Sequence, residues 1–240
     1  KKFNGVGDIA TFWNKIDKAR ETLGQERIFQ NGDFKFGRIN NKYNGDTSME
    51  GTINLHRKIH DLCVSAFEKL RLGTNLSEDE CRAIGTLWHE MTHNRHKLNG
   101  GIFHIPPGKS LDYMEMANEF VARKTLPELF GLLRAKSAPY KQFMISRDNC
   151  AYDDWVVRLD TALDTFGVNK DSFLKQARTD LFDGNYDMQK ELLVNNMASH
   201  VKGMDTADAT KIVAQCIKYK GISFETDVLM PIKSKLGGKK

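Results

Sequence analysis

The sequence predicts an α+β fold that is predominantly helical. Amphipathic helical patterns run through most of the chain, and a short stretch in its first quarter alternates apolar and polar residues as strands do. No strand pattern follows Pro127. We therefore predict a first lobe at residues 1–135, which combines helices with a small mixed sheet, and a helical C-terminal lobe at residues 136–240.

The first predicted elements are a helix and a small sheet. An amphipathic pattern covers residues 8–24 and ends in a glycine, which is typical of a helix stop. Residues 26–55 then alternate apolar and polar side chains and contain the dipeptides Asn31-Gly32 and Asn44-Gly45. Because such dipeptides are common in hairpin turns, this stretch predicts about three strands.

A second helix is predicted over residues 61–73, and a third begins at Ser77, which forms a capping box with Glu80. A stop for this third helix is expected at Gly100-Gly101. Its middle carries the H-E-x-x-H motif HEMTH at residues 89–93. The alternative interpretation is an amphipathic helix with two exposed histidines and an ordinary glutamate.

The H-E-x-x-H spacing has a chemical meaning on a helix. His89 and His93 lie one turn apart on the same face, so each can give a nitrogen to a single metal ion. Glu90 follows the first histidine and can reach a water molecule that the metal activates. The motif therefore predicts metal-assisted hydrolysis with Glu90 as the general base.

A catalytic zinc ion needs a third protein ligand and keeps a fourth position for water. The helix predicted over residues 110–130 offers two carboxylates one turn apart, Glu119 and Glu115. Glu119 is our first choice of ligand, Glu115 is the reserve ligand, and two solvated surface acids are the remaining interpretation. The expected cofactor is Zn²⁺, one per chain.

An H-E-x-x-H motif followed by a glutamate on a second helix resembles the gluzincin type of zinc metallopeptidase. The runs HEMTHNRHKLN and NEFVAR look like the zincin-like domains of plasmid antirestriction proteins and of phage or mobile-element polyvalent proteins. That resemblance covers residues 50–130 and puts Glu119 at the ligand position. A similar run in phage-repressor-cleaving regulatory peptidases puts its glutamate on Met116 of this chain, which keeps Glu115 under consideration.

The resemblance implies a zinc-dependent metallopeptidase, a hydrolase that cleaves peptide bonds of a protein or peptide substrate with a metal-activated water. The implied metal ligands are His89, His93 and Glu119, and the implied general base is Glu90. In such folds an edge strand beside the cleft pairs with extended substrate. Two further residues are candidates for contacts with the substrate or transition state: His104, in the loop between the two ligand helices, and Tyr113.

A different class of function is a metal-stabilised module that binds protein or nucleic acid without hydrolysis. Glu90 favours the enzyme, because a binding module has no need of a general base. The net charge of +5 is small, and a nucleic-acid binder usually has a denser basic face.

Five further helices are predicted near residues 150–166, 170–182, 186–202, 205–219 and 222–236. No apolar run reaches the roughly 18 residues of a membrane span, so no membrane partner is expected. The four cysteines include no C-x-x-C pair, which favours reduced thiols in a cytoplasmic protein. The chain begins Lys1-Lys2, and we expect it to be a fragment of a larger protein.

Overall fold

A computed structural model describes residues 6–24, 35–39, 44–47, 52–94, 110–132, 152–184 and 186–237. Over these ranges the protein is predominantly helical with one small sheet, as the sequence predicted. None of the helices described is long and apolar enough to cross a membrane.

The helices of the described ranges, numbered in chain order, begin with four in the first half of the chain. They are α1 (Val6–Thr22), α2 (Arg57–Leu72), α3 (Glu78–Asn94) and α4 (Ser110–Leu132). The five helices predicted for the C-terminal half are also present. They are α5 (Asp153–Thr165), α6 (Lys170–Asp183), α7 (Gln189–His200), α8 (Thr206–Lys218) and α9 (Met230–Gly237). A π-helical turn at Glu225–Leu229 precedes the last of them.

The sheet has three strands, as predicted, and it is mixed. The strands β1 (Lys35–Ile39), β2 (Gly45–Thr47) and β3 (Thr52–His56) lie in the order β1-β3-β2. β3 pairs in parallel with β1 and antiparallel with β2. Among the described strands, β2 is therefore an edge strand.

The hairpin turn predicted at Asn44-Gly45 is wrong. Because β3 lies between β1 and β2, those two strands are not neighbours and cannot share a tight turn. Gly45 is instead the first residue of β2 and pairs with Leu55, while the Asn44 carbonyl accepts a 2.9 Å hydrogen bond from the backbone N–H of His56. The other predicted turn, Asn31-Gly32, lies outside the described residues.

The chain divides into two compact units, which cut α4 in two. The first unit comprises Lys1–Phe103 and Ala122–Ser146, and the second comprises His104–Val121 and Arg147–Lys240. The boundary predicted between residues 135 and 136 lies outside the described residues, so the predicted division into lobes stays a prediction.

The core of the first unit is built from one face of each of its elements. Helices α1, α2 and α3, strand β3 and the C-terminal half of α4 all contribute fully buried apolar side chains. They include Trp13, Leu55, Ala66, Leu87 and Leu129, each at 0% exposure. Burying a large apolar side chain stabilises a fold by about 1.5–3 kcal/mol, so this shared core holds α3 against its neighbours.

The second unit has its own core, formed by α5–α9 and the N-terminal half of α4. Phe120 and Phe173 meet edge to face there, with ring centroids 5.7 Å apart. Local signals define its helix ends: the Asn169 and Asp205 side chains cap α6 and α8.

α3 begins with the predicted capping box, and further hydrogen bonds reinforce it. The Ser77 N–H donates to Glu80 Oε2 at 2.7 Å, and the Glu80 N–H donates to Ser77 Oγ at 3.2 Å. From α2, Lys69 Nζ donates to Glu80 Oε2 at 2.9 Å and Ser65 Oγ donates to Glu80 Oε1 at 2.7 Å. Glu80 is only 3% exposed, so this carboxylate fixes the start of α3 on α2.

The Glu80 network predicts a pH-dependent contribution to stability. Burial raises the pKa of the Glu80 carboxyl, but the hydrogen bonds from Lys69, Ser65 and Ser77 outweigh it and hold the pKa below its ordinary value. A depressed pKa in the folded state stabilises the protein above the unfolded pKa, and the effect is lost as the pH falls through the folded pKa.

We expect Glu80→Gln to lower the free energy of unfolding by about 1–3 kcal/mol at pH 7, with the difference from wild type narrowing below about pH 4. Urea denaturation of both proteins between pH 7 and pH 3 measures this difference. A difference that stays constant over that range would contradict the ionic role of Glu80.

Candidate metal centre

The H-E-x-x-H segment lies inside α3, as predicted. Apolar residues of the same helix, among them Leu87 and Met91, are fully buried in the first core. The three residues that define the motif are nearly buried as well: His89 is 9% exposed, Glu90 5% and His93 7%. Because buried polar groups need partners, this segment points to a site rather than to a solvated helix face.

The two histidines are arranged to share one partner. Their ring centroids are 4.7 Å apart, and the ring planes are nearly perpendicular at 81°. The Nε2 atoms of His89 and His93 lie 3.1 Å from each other. The two imidazoles thus direct the same nitrogen towards a common point.

A carboxylate from α4 completes a group of three. One nitrogen of His89, one of His93 and one carboxylate oxygen of Glu115 all lie within 4.8 Å of one another. Among the described residues, these three form a group that could hold a metal ion. Glu119, our first choice of ligand, is nearly buried at 5% exposure but does not belong to this group. The structure therefore brings the reserve ligand to the histidines.

Packing within the first unit sets the position of α4 against α3. The indole Nε1 of Trp88, next to His89 in the sequence, donates a 3.0 Å hydrogen bond to Thr125 Oγ1 of α4. Leu126 and Leu129 of α4 are buried in the same core as Trp88. These contacts fix the C-terminal part of α4 on α3, and Glu115 lies in the N-terminal part of the same helix.

The three side chains fit a catalytic zinc ion. Two nitrogens bound to one zinc at about 2.0–2.1 Å in tetrahedral geometry lie roughly 3.3 Å apart. The 3.1 Å between the His89 and His93 nitrogens agrees with that separation. Two imidazoles and one carboxylate are also a donor set that catalytic zinc uses, with a fourth position left open.

Glu90 lies against strand β2. Thr47 Oγ1 is 2.8 Å from Glu90 Oε2 and 3.0 Å from the Glu90 carbonyl oxygen. A Cβ added to Gly45 would lie 3.0 Å from both Cγ and Oε1 of Glu90. The carboxylate of Glu90, the residue after His89, is therefore held by β2.

Sequence reasoning missed Thr47 and Gly45. The local signal at Gly45 predicts a turn, whereas the residue lies in β2, and no local signal marks Thr47. Their role depends on the contact of β2 with α3, which no periodicity within either element reveals.

Of the two candidates for substrate contact, the structure describes only Tyr113. His104 lies outside the described residues. Tyr113 is 5% exposed in the core of the second unit, with Lys190 Nζ 5.6 Å from its ring centroid. Burial, and then the charge of Asp112, raise the pKa of Tyr113 above its ordinary value. Tyr113 therefore keeps its proton at neutral pH, and its contact with substrate stays a prediction.

The described cysteines are not suited to act as nucleophiles. Cys63, Cys81 and Cys216 are buried free thiols. Burial raises the pKa of Cys81 to about 11 and that of Cys216 to about 12, and it raises that of Cys63 further. Since the thiolate is the reactive form, these residues are inert at neutral pH.

Comparison with protein-family models, with curated proteins and with solved structures finds no match to this chain. What the protein does must therefore be argued from the chemistry of its side chains.

Metal content tests which glutamate is the ligand. We expect wild type to bind one zinc ion per chain, and His89→Ala and Glu115→Ala to lose it. The matched variant Glu119→Ala should keep the metal, because Glu119 is not one of the three residues of the group. Elemental analysis of the zinc-loaded and dialysed proteins measures this. Zinc lost in Glu119→Ala but kept in Glu115→Ala would restore our first choice.

The Trp88–Thr125 hydrogen bond gives a separate prediction about stability. Thr125→Val keeps the side-chain shape but leaves the buried indole N–H without its acceptor, which should lower the free energy of unfolding by about 1–3 kcal/mol. Thr125→Ser keeps the hydroxyl and should retain more of the stability. Urea denaturation of the metal-free proteins compares the two. Equal losses would show that the hydrogen bond contributes nothing beyond packing.

Proposed function

We propose that this chain is a zinc-dependent metallopeptidase. The observation that supports it best is the convergence of His89, His93 and Glu115, with the nearly buried Glu90 directly after His89 in the sequence. A purely structural metal site is usually closed by four protein ligands. Among the described residues the group offers three ligands, and with the neighbouring Glu90 this is the composition that hydrolysis needs.

In this proposal His89, His93 and Glu115 hold the zinc ion. The ion supplies Lewis acidity, which polarises a carbonyl group and makes water nucleophilic near neutral pH. Glu90 accepts a proton from the attacking water and passes it to the leaving amine. Its low exposure limits competing solvent contacts around the carboxylate, which strengthens its electrostatic interactions.

The edge strand β2 supports a peptide as the substrate. An extended peptide can add to an exposed sheet edge through main-chain hydrogen bonds. β2 is an edge strand among the described strands, and it contacts Glu90 through Gly45 and Thr47. A peptide paired with this strand would run past the proposed general base.

The proposed type of metallopeptidase rests on the H-E-x-x-H motif. We propose a zincin-like fold of the gluzincin type, with Glu115 as the glutamate ligand, akin to the zincin-like domains of phage and mobile-element proteins. The H-E-x-x-H helix followed by a ligand helix supports this assignment.

Replacing the general base tests the proposed function. We expect the zinc-loaded wild type to cleave protein or peptide substrates, and Glu90→Gln to lower kcat by roughly 10²–10⁴-fold while keeping one zinc per chain. Glu191→Gln, at an exposed glutamate of α7, is the matched control and should keep full activity. Mass spectrometry of a peptide library after incubation measures cleavage, and elemental analysis measures zinc.

Two outcomes would contradict this proposal in different ways. A wild type that binds zinc but leaves all peptides intact would favour a metal-stabilised binding module. A chain that takes up no zinc when the metal is supplied would rule out both functions.

A further inference from the structure

We propose that Thr47 and Gly45 of β2 are positioning residues for Glu90, which hold its carboxylate in the orientation that proton transfer requires. This inference rests on the proposed function and extends it to residues outside the metal-binding motif. All three residues belong to the first unit.

The Thr47 hydroxyl contacts two atoms of Glu90. Its single hydroxyl proton faces two acceptors, Glu90 Oε2 at 2.8 Å and the Glu90 carbonyl oxygen at 3.0 Å. One acceptor is at the end of the side chain and the other is in the backbone of the same residue. Because the backbone is fixed in α3, a hydroxyl that spans both acceptors restricts the rotation of the carboxylate.

Gly45 leaves room for the Glu90 side chain, which a Cβ at this position would push aside. Its Cα faces Glu90 so closely that an added Cβ would lie 3.0 Å from Cγ, 3.0 Å from Oε1 and 3.2 Å from Cδ. The φ angle of Gly45 is not in the left-handed region, so glycine is not needed for the backbone conformation. Glycine is favoured here because a side chain at this position would require the Glu90 side chain to shift.

The intervening residue anchors the strand itself. Side chains alternate along a strand, so Asp46 points away from the face that Gly45 and Thr47 present. Asp46 Oδ1 accepts a 2.7 Å hydrogen bond from Nδ2 of Asn54, its partner residue in β3. The register of β2 is thus held by one face while the other face contacts Glu90.

A general base needs this support because the helix fixes only its Cα. A glutamate side chain has several rotatable bonds, and a displacement of about 1 Å in a reacting group can cost roughly a hundredfold in rate. Partners that orient ligands and bases without touching the substrate typically contribute about 10- to 100-fold to activity.

Kinetics of the zinc-loaded protein test the role of Thr47. We expect Thr47→Val to lower kcat roughly 10- to 100-fold, with KM and zinc content unchanged, and Thr47→Ser to recover most of the loss. Gly45→Ala should also lower kcat, because its methyl group displaces the carboxylate. Thr86→Val is the matched control, since the Thr86 hydroxyl bonds the Arg82 carbonyl within α3, and it should keep wild-type kcat.

A double-mutant cycle in the metal-free protein tests the contact without relying on activity. Thr47→Val and Glu90→Ala are each expected to lower Tm by roughly 2–4 °C per hydrogen bond lost. Both variants remove the contact between the Thr47 hydroxyl and Glu90 Oε2, while the backbone carbonyl acceptor of Glu90 remains in both. The loss in the double variant should therefore be smaller than the sum of the single losses. Thr47→Ser keeps the hydroxyl, so its Tm should stay close to that of wild type.

Each contrary result has its own meaning. Additive Tm losses would show that the Thr47–Glu90 contact does not stabilise the protein. Coupled Tm losses together with a wild-type kcat in Thr47→Val would overturn the positioning role. Failure of Thr47→Ser to restore kcat also overturns it, since the hydroxyl would not be the group that matters. A wild type that binds zinc but cleaves nothing overturns the proposed function and the role together, while the cycle still reports whether the contact exists.

Discussion

The near-burial of three ionisable side chains on one face of α3 is the constraint on which the first unit depends. His89, Glu90 and His93 have exposures below one tenth, and a buried polar group without partners costs several kcal/mol. Their surroundings must therefore supply partners, which come from elements distant in sequence. β2 supplies the Thr47 hydroxyl and α4 supplies the Glu115 carboxylate. The apolar side of α3 provides the stability that offsets this polar cluster.

The helix itself and its two histidines could be predicted because the signals are local. The capping box at Ser77 and Glu80 sets where α3 begins, and the helical repeat then places His89 and His93 on one face. The C-terminal helices were predictable for the same reason, since capping side chains such as Asn169 and turn glycines such as Gly203 lie at their ends. These features depend on residues a few positions apart.

The third member of the metal group could not be derived from sequence for a physical reason. Glu115 and Glu119 lie one turn apart on the same face of α4, and periodicity treats them alike. Which one meets the histidines depends on the axial position of α4 against α3, where a shift of one turn is about 5.4 Å. That position is a property of tertiary packing, which the spacing of residues within one helix does not encode. The order of the strands is likewise a tertiary property, and local turn signals at Asn44-Gly45 predicted it incorrectly.

β2 shows how a strand of three residues can serve two purposes. Successive side chains of β2 point to opposite faces. On one face Asp46 bonds Asn54 of β3, and on the other Gly45 and Thr47 contact Glu90. In the proposed peptidase this strand would also be the one to which an extended substrate adds. Substrate pairing would then order the same backbone that orients the general base. Binding and chemistry would be coupled through β2, since a peptide that fails to pair with the strand would leave Glu90 less firmly held.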